Sequence, residues 1–450
     1  MQLFATVTAA LALLAAPIFA APTASLKAVE KYAGETKPQS YIVKLKDGVA
    51  KTAHLEWLAA HHGNSSTVTH PEWESTVLHG FAGTFGADAL NALRANPDVE
   101  YIAEDGIVHI TAAVTQTNAP WGLQRISQTE KLSNQNTNAL TFTYTYDSSA
   151  GSGVDIYIVD TGIYTAHSEF GGRARWGATF GGYRDADGNG HGTHVSGTAA
   201  GTTYGVAKKA NLIAVKVLSD QGSGTVSDIV SGLNWVSQQA AASGRPSIAS
   251  LSLGGGASTA LDSAVASLTS SGVHITVAAG NDGTDARNTS PARAPSAVTV
   301  GASTIADARA SFSNYGSVVD IFAPGQNVIS SWIGSTTATN NISGTSMATP
   351  HIAGLIATII SRDGNDTPAA ISTKLQQLST KGALSGVPSG TVNDLAHNEM
   401  GMTTEQFALL GNVGIVDDVY EYEYQSKVMT LTKELIAIES GMRCMSTLQL

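Results

Sequence analysis

A serine hydroxyl becomes a nucleophile when an imidazole takes its proton, and the imidazole needs a carboxylate to fix its tautomer and stabilise its charged form. The sequence holds each of these groups in a suitable setting. Asp160 closes the apolar run Val-Asp-Ile-Tyr-Ile-Val and is followed by Thr161 and Gly162. In open α/β sheets reactive groups gather beyond the carboxyl ends of buried strands, where this carboxylate would lie. His191 stands at a helix start within Gly190-His191-Gly192-Thr193-His194-Val195-Ser196-Gly197-Thr198, among residues small enough for other backbones to come close. Ser346, in Ser343-Gly344-Thr345-Ser346-Met347-Ala348-Thr349-Pro350, opens an apolar helix running to about Ile360. There a backbone N–H and the helix dipole favour a developing anion.

Taken singly, each segment has an ordinary explanation. Asp160 could cap a turn and Ser346 a helix. His191 could be a structural histidine, or could pair with His194, three residues on, to bind a metal, although no Glu lies between them and a third ligand is not evident. The serine segment lacks the second glycine of a nucleophile elbow, which argues against an α/β-hydrolase. Together the three give the chain order Asp, His, Ser, each at an element boundary, and that conjunction is specific.

The elements that must position them follow from the apolar pattern. Buried strands are predicted at Val154–Val159, Leu212–Leu218, Ile248–Leu253, His274–Ala279 and Ala297–Ala302, with crossover helices such as Val226–Ser237 and Leu261–Ser270. This alternation predicts a three-layer α/β domain with a mainly parallel sheet. Before it, residues 40–111 read as strand, helix, strand, helix, strand: a small α+β unit followed by a polar linker near Ala112 to Asn118. Met1 to about Ala20 is an apolar run ending in small residues, as a cleaved signal peptide requires, and no other segment is apolar enough to span a bilayer. After Asn398 the chain turns acidic, and residues 399–450 have no readable role.

Composition narrows the function classes. In 450 residues the formal charge is -11, which disfavours binding to nucleic acid, and the single cysteine, Cys444, permits neither an internal disulfide nor a thiolate metal cluster.

The sequence resembles the subtilisin-like serine proteases, most closely their proteinase K branch. The resemblance runs from Asn118-Ala119-Pro120-Trp121-Gly122-Leu123 to Asn393 through the three segments above and Ser252-Leu253-Gly254-Gly255. It implies a subtilisin-like catalytic domain over residues 113–398, with Asp160, His191 and Ser346 as triad and Asn281, in Ala278-Ala279-Gly280-Asn281, as oxyanion donor. It also implies substrate-flanking segments at Gly222-Ser223-Gly224 and Ser252-Leu253-Gly254, which would pair with an extended peptide. The glycines at 254–256 and Ala278 to Gly280 would leave a roomy apolar first pocket, implying broad cleavage after hydrophobic or aromatic residues.

Structural calcium is implied through Asp320 and the carbonyls of Pro295 and Ala297. Gln377 replaces the Asp of a second family site, and Val195 stands where the branch often has a free cysteine. Residues 21–112 resemble the family's inhibitory prosegment, through Tyr41-Ile42-Val43 and Val99-Glu100-Tyr101-Ile102-Ala103-Glu104, with self-cleavage expected near Ala112 or Ala113; a permanent regulatory domain is the alternative. The expectation is therefore a secreted monomeric endopeptidase made as a zymogen and acting on proteins and peptides, with no nucleic-acid or membrane partner. Sequons at Asn64, Asn288, Asn341 and Asn365 are candidate glycan sites.

Overall fold

Seven parallel strands form most of a nine-stranded sheet: β1 (Asp155–Asp160), β2 (Ala174–Thr179), β3 (Asn211–Lys216), β4 (Ser247–Leu251), β5 (His274–Ala278), β6 (Val298–Ser303) and β7 (Ile321–Pro324), in the spatial order β7-β6-β5-β4-β1-β3-β2. Two short strands, Thr380–Lys381 and Asp394–Leu395, complete the edge beside β7, and only their mutual pairing is antiparallel. The computed structural model describes residues 26–32, 36–71, 73, 78–106 and 113–400. The expected signal peptide, Ala112 and residues 401–450 lie outside them.

The pleat sends alternate side chains of each strand to opposite faces. Ile156 and Ile158 of β1 join one apolar cluster, with helices α1 (His191–Ala200) and α4 (Thr345–Asp363). Tyr157 and Val159 join the other, with α2 (Val226–Ser243) and α3 (Thr259–Ser270). Helices on both faces give three layers, as the apolar runs predict. After β1 the chain builds β2 and β3 on one side, then crosses to β4 on the other, so the strand order turns at β1. Asp160 is the last residue of that strand, at the switch point where open α/β sheets leave a crevice.

The ends of the five predicted sheet strands shift by at most two residues, and the helix expected over Val226–Ser237 runs on to Ser243. Two further differences concern whole strands. Ala113–Ala119, expected as a linker, is a strand paired antiparallel with Phe142–Asp147, because its main chain finds partners there that polarity does not reveal. The N-terminal unit gains strands at Val29–Glu30 and Ser66–His70, in a five-stranded sheet with Thr36–Leu45, Gly80–Phe85 and Val99–Gly106. Helices Lys51–His62 and Ala87–Ala95 contribute Leu58, Ala89 and Leu93 to a separate core with Val43, Phe81 and Ile102.

Candidate active site

The carboxylate that ends β1 is fully buried and meets the first residue of α1. His191 Nδ1 lies 2.8 Å and 2.9 Å from the two Asp160 oxygens, and the Thr161 N–H donates to Oδ1 at 2.7 Å. Burial opposes the charged imidazolium, but the Asp160 charge and hydrogen bond, with the nearby Asp187 charge, outweigh it and hold His191 above its ordinary value. The His191 side chain remains one-quarter exposed, enough to reach a ligand.

Close packing sets the approach of β1 to α1. A Cβ on Gly192 would fall 2.0 Å from the Gly162 carbonyl, so only glycine lets the helix come this near. The start of α1 lacks a side-chain cap from Gly190, and Asp187 supplies one instead. Its Oδ1 accepts from Thr161 Oγ1, Asn189 N and Gly190 N at 2.9, 3.1 and 2.9 Å; its Oδ2 accepts from Thr193 N and Oγ1 at 2.9 and 2.6 Å. One buried carboxylate thus ties the turn after Asp160 to the helix of His191. Sequence reasoning missed Asp187. A carboxylate just ahead of a helix is a legible capping signal, but its link to Thr161 is tertiary.

Ser346 is the second residue of α4. Its Oγ donates to the Ser252 carbonyl at 3.2 Å, while Ser252 Oγ donates to the Ser346 carbonyl at 2.8 Å. Among the described residues no hydrogen bond joins Ser346 Oγ to His191, a link often long before substrate binds. Asn281 Oδ1 accepts from Thr345 N and Oγ1 at 2.8 and 2.9 Å, which fixes the amide and leaves its Nδ2 free to donate. A Cβ on Gly344 would sit 3.5 Å from Ser346 N and 3.6 Å from Asn281 Nδ2, so these two donors border one space that glycine keeps open. Buried Asn314, also missed from sequence, holds the Asn281 loop: its Nδ2 donates to Ala279 O, and its Oδ1 accepts from Asp282 N and Thr284 N. Gly280 has φ +106, and a Cβ there would meet Asn314 Nδ2 at 2.2 Å.

Gly222, Ser223, Gly224 and Gly254 are exposed and Leu253 half-buried, while Ala278 and Ser252 are buried. The Gly222 N–H and the Ser223 carbonyl already pair with Ser219 inside a turn, at 2.9 and 2.8 Å, so strand addition to a peptide would draw on the remaining main chain of these segments. The other histidine of the motif is spent elsewhere: His194 Nε2 donates to the carbonyls of Val328 and Asn340 at 3.0 and 3.2 Å, and burial pushes the ring down to about 3. Among the described residues no group of three or more His, Cys, Asp or Glu side chains is placed to hold a metal ion, so a His191–His194 metal pair gains no support.

Asp320 is a different case. Burial raises its carboxyl to about 6, its Oδ2 accepts from Thr299 N at 2.7 Å, and no ion pair neutralises it among the described residues. A carboxylate without an ion-pair partner among the described residues is the kind of oxygen ligand that calcium takes. Gln377 is exposed in helix Pro368–Leu378.

Known proteins resemble this chain in both of its units. The profile of the Subtilase family matches residues 151–397, and that of Peptidase inhibitor I9 matches residues 40–111. The chain is 50% identical over 360 residues to a cuticle-degrading protease of Metarhizium anisopliae, covering 80% of this chain and 89% of the relative. It is 46% identical over 405 residues to the subtilisin-like serine protease Pen c 2 of Penicillium citrinum, covering 80% and 88%. A crystal structure of a cold adapted subtilisin-like serine proteinase aligns with a TM-score of 0.57 at 47% identity, covering 62% of this chain and 98% of that one.

Proposed function

The chain belongs to the subtilase family and is a serine endopeptidase of the subtilisin-like class, and from that premise we propose that Ser346, His191 and Asp160 carry the reaction, with Asn281 as oxyanion donor. Ser346 Oγ turns from the Ser252 carbonyl and attacks the scissile carbonyl carbon as His191 Nε2 takes its proton. Asp160 keeps the proton on Nδ1 and stabilises the imidazolium. The new oxyanion enters the space between Ser346 N and Asn281 Nδ2. His191 then protonates the leaving amine, and a water activated by the same imidazole releases the acyl group. The observation that carries this reading is the fixed Asn281 amide, whose donor shares one glycine-lined space with the Ser346 N–H.

The substrate would lie extended between Gly222-Ser223-Gly224 and Ser252-Leu253-Gly254, bound through main chain and so with broad specificity. A pocket walled by Ala278, Gly280 and the glycines at 254–256 favours hydrophobic or aromatic residues before the cut. Calcium, held by Asp320 with Pro295 and Ala297, would be structural: when bound it neutralises the carboxylate and braces the start of β6. The I9 domain would be cut free by self-cleavage near Ala112 or Ala113, and its later degradation would release activity. Secretion, a monomeric state, and no nucleic-acid or membrane partner complete the reading. Asn64, Asn288 and Asn365 are exposed glycan candidates. Asn341 is a poor one, since its Nδ2 donates to Asn138 at 2.7 Å and its oxygen is buried.

The test is the intact mass of the secreted product for wild type and Ser346→Ala. Trimming near Ala112 in wild type alone supports self-processing; full-length product in both, or trimming in both, overturns it.

A further inference from the structure

Lys216, the last residue of β3, is completely buried, although an ammonium group is costly to remove from water unless it is paired. Its register partner on the neighbouring strand is Asp160. Its Nζ donates to the Thr161 carbonyl at 2.6 Å and to Asp220 Oδ1 at 3.0 Å, and it lies 5.4 Å from the Tyr183 ring centre. Its two hydrogen-bond partners belong to different parts of the site. Thr161 is the turn behind the proposed catalytic carboxylate, and Asp220 stands two residues before the exposed Gly222–Gly224 edge.

A second connection closes the circuit. Asn189 Nδ2 donates to the Asp220 carbonyl at 2.9 Å, and Asn189 Oδ1 accepts from His191 N at 3.2 Å. The Gly188 N–H also donates to Asp220 Oδ1, at 3.3 Å. The ring therefore runs from Asp160 through Thr161, Lys216, Asp220 and Asn189 to His191, and back to Asp160.

We infer that Lys216 is a positioning residue that couples the catalytic Asp–His pair to the substrate-binding edge through Asp220, so that engagement of an extended peptide on Gly222–Gly224 sets the geometry of the pair. This rests on the reading of Ser346, His191 and Asp160 given above. Asp220 lies partly at the surface, so changing it perturbs the coupling without opening the core.

The experiment measures kcat and KM on a blocked tetrapeptide anilide and on an N-acetyl-tyrosine ester, which lacks the extended chain. It compares wild type with Asp220→Asn, Asp220→Glu, Lys216→Met and Ser346→Ala, with Tm recorded for each. Loss of one charged hydrogen bond predicts that Asp220→Asn lowers kcat/KM for the tetrapeptide about tenfold more than for the ester, mainly through kcat because peptide binding no longer sets the pair's geometry, and that Asp220→Glu recovers part of the loss; a loss through KM alone would mark Asp220 as a structural support of the edge and overturn the coupling. Lys216→Met, touching both limbs, lowers kcat on both substrates. Equal losses on the two substrates, or none, with Asp220→Asn overturn the coupling, and this comparison decides alone if Lys216→Met does not fold. Ester hydrolysis surviving in Ser346→Ala would instead overturn the triad reading beneath it.

Discussion

Asp187 contacts no substrate in the proposed mechanism, yet it holds the hydroxyl of Thr161 and the start of α1 together, and its charge raises His191. The sign of its effect on pH dependence follows. His191 must be neutral to accept the Ser346 proton, so kcat/KM rises as pH passes upward through the His191 pKa. Asp187→Asn removes a negative charge that favours the imidazolium, so that pKa falls and the acid limb moves to lower pH, with kcat also reduced. A pH profile of kcat/KM checks this; an unmoved acid limb would make Asp187 only a helix cap. Asn281→Ala should lower kcat about a hundred- to a thousand-fold with little change in KM, because the lost donor acts on the oxyanion and not on the bound substrate. Steady-state kinetics on a peptide anilide measure both constants.

At the scale of elements, the contact between β1 and α1 sets how closely Asp160 and His191 meet. Gly192→Ala would place a methyl group against the Gly162 carbonyl. The helix would have to move, with a stability loss of about 3 kcal/mol and a fall in kcat, read by denaturant unfolding and kinetics together. The strands and helices that position the proposed triad were legible because continuous apolar runs bounded by Gly and polar residues announce a buried parallel sheet. Asp160, His191 and Ser346 were legible because each stands where such an element begins or ends. Asp187, Asn314 and Lys216 were not, because their partners lie across the fold: Thr161 for Asp187, the Asn281 loop for Asn314, Asp220 and Thr161 for Lys216. The strand Ala113–Ala119 was missed for a similar reason. Its exposed polar alternation becomes a strand only once Phe142–Asp147 lies beside it.

For the whole molecule, two units with separate cores belong to one chain, and the roles proposed for them differ in time. Leu93→Ala empties a buried site in the N-terminal core and should destabilise that unit by about 2–5 kcal/mol. The account expects a lower yield of active enzyme but an unchanged Tm for what is recovered, since the prosegment has by then been removed; an equal fall in Tm of the recovered enzyme would mark the unit as a permanent domain. Calcium should raise the Tm of the wild type, because a ligand bound only to the folded state adds to its stability, and Asp320→Asn should abolish that increment in a melting curve. The central claim is that Ser346 is the nucleophile activated by His191. Its most direct measurement is peptide mapping after reaction with a fluorophosphonate, with the labelling rate compared in wild type and His191→Ala. The account predicts a single adduct on Ser346 that forms at least a hundredfold more slowly in His191→Ala, in line with loss of a general base; an adduct on another residue, or an unchanged rate, would contradict it.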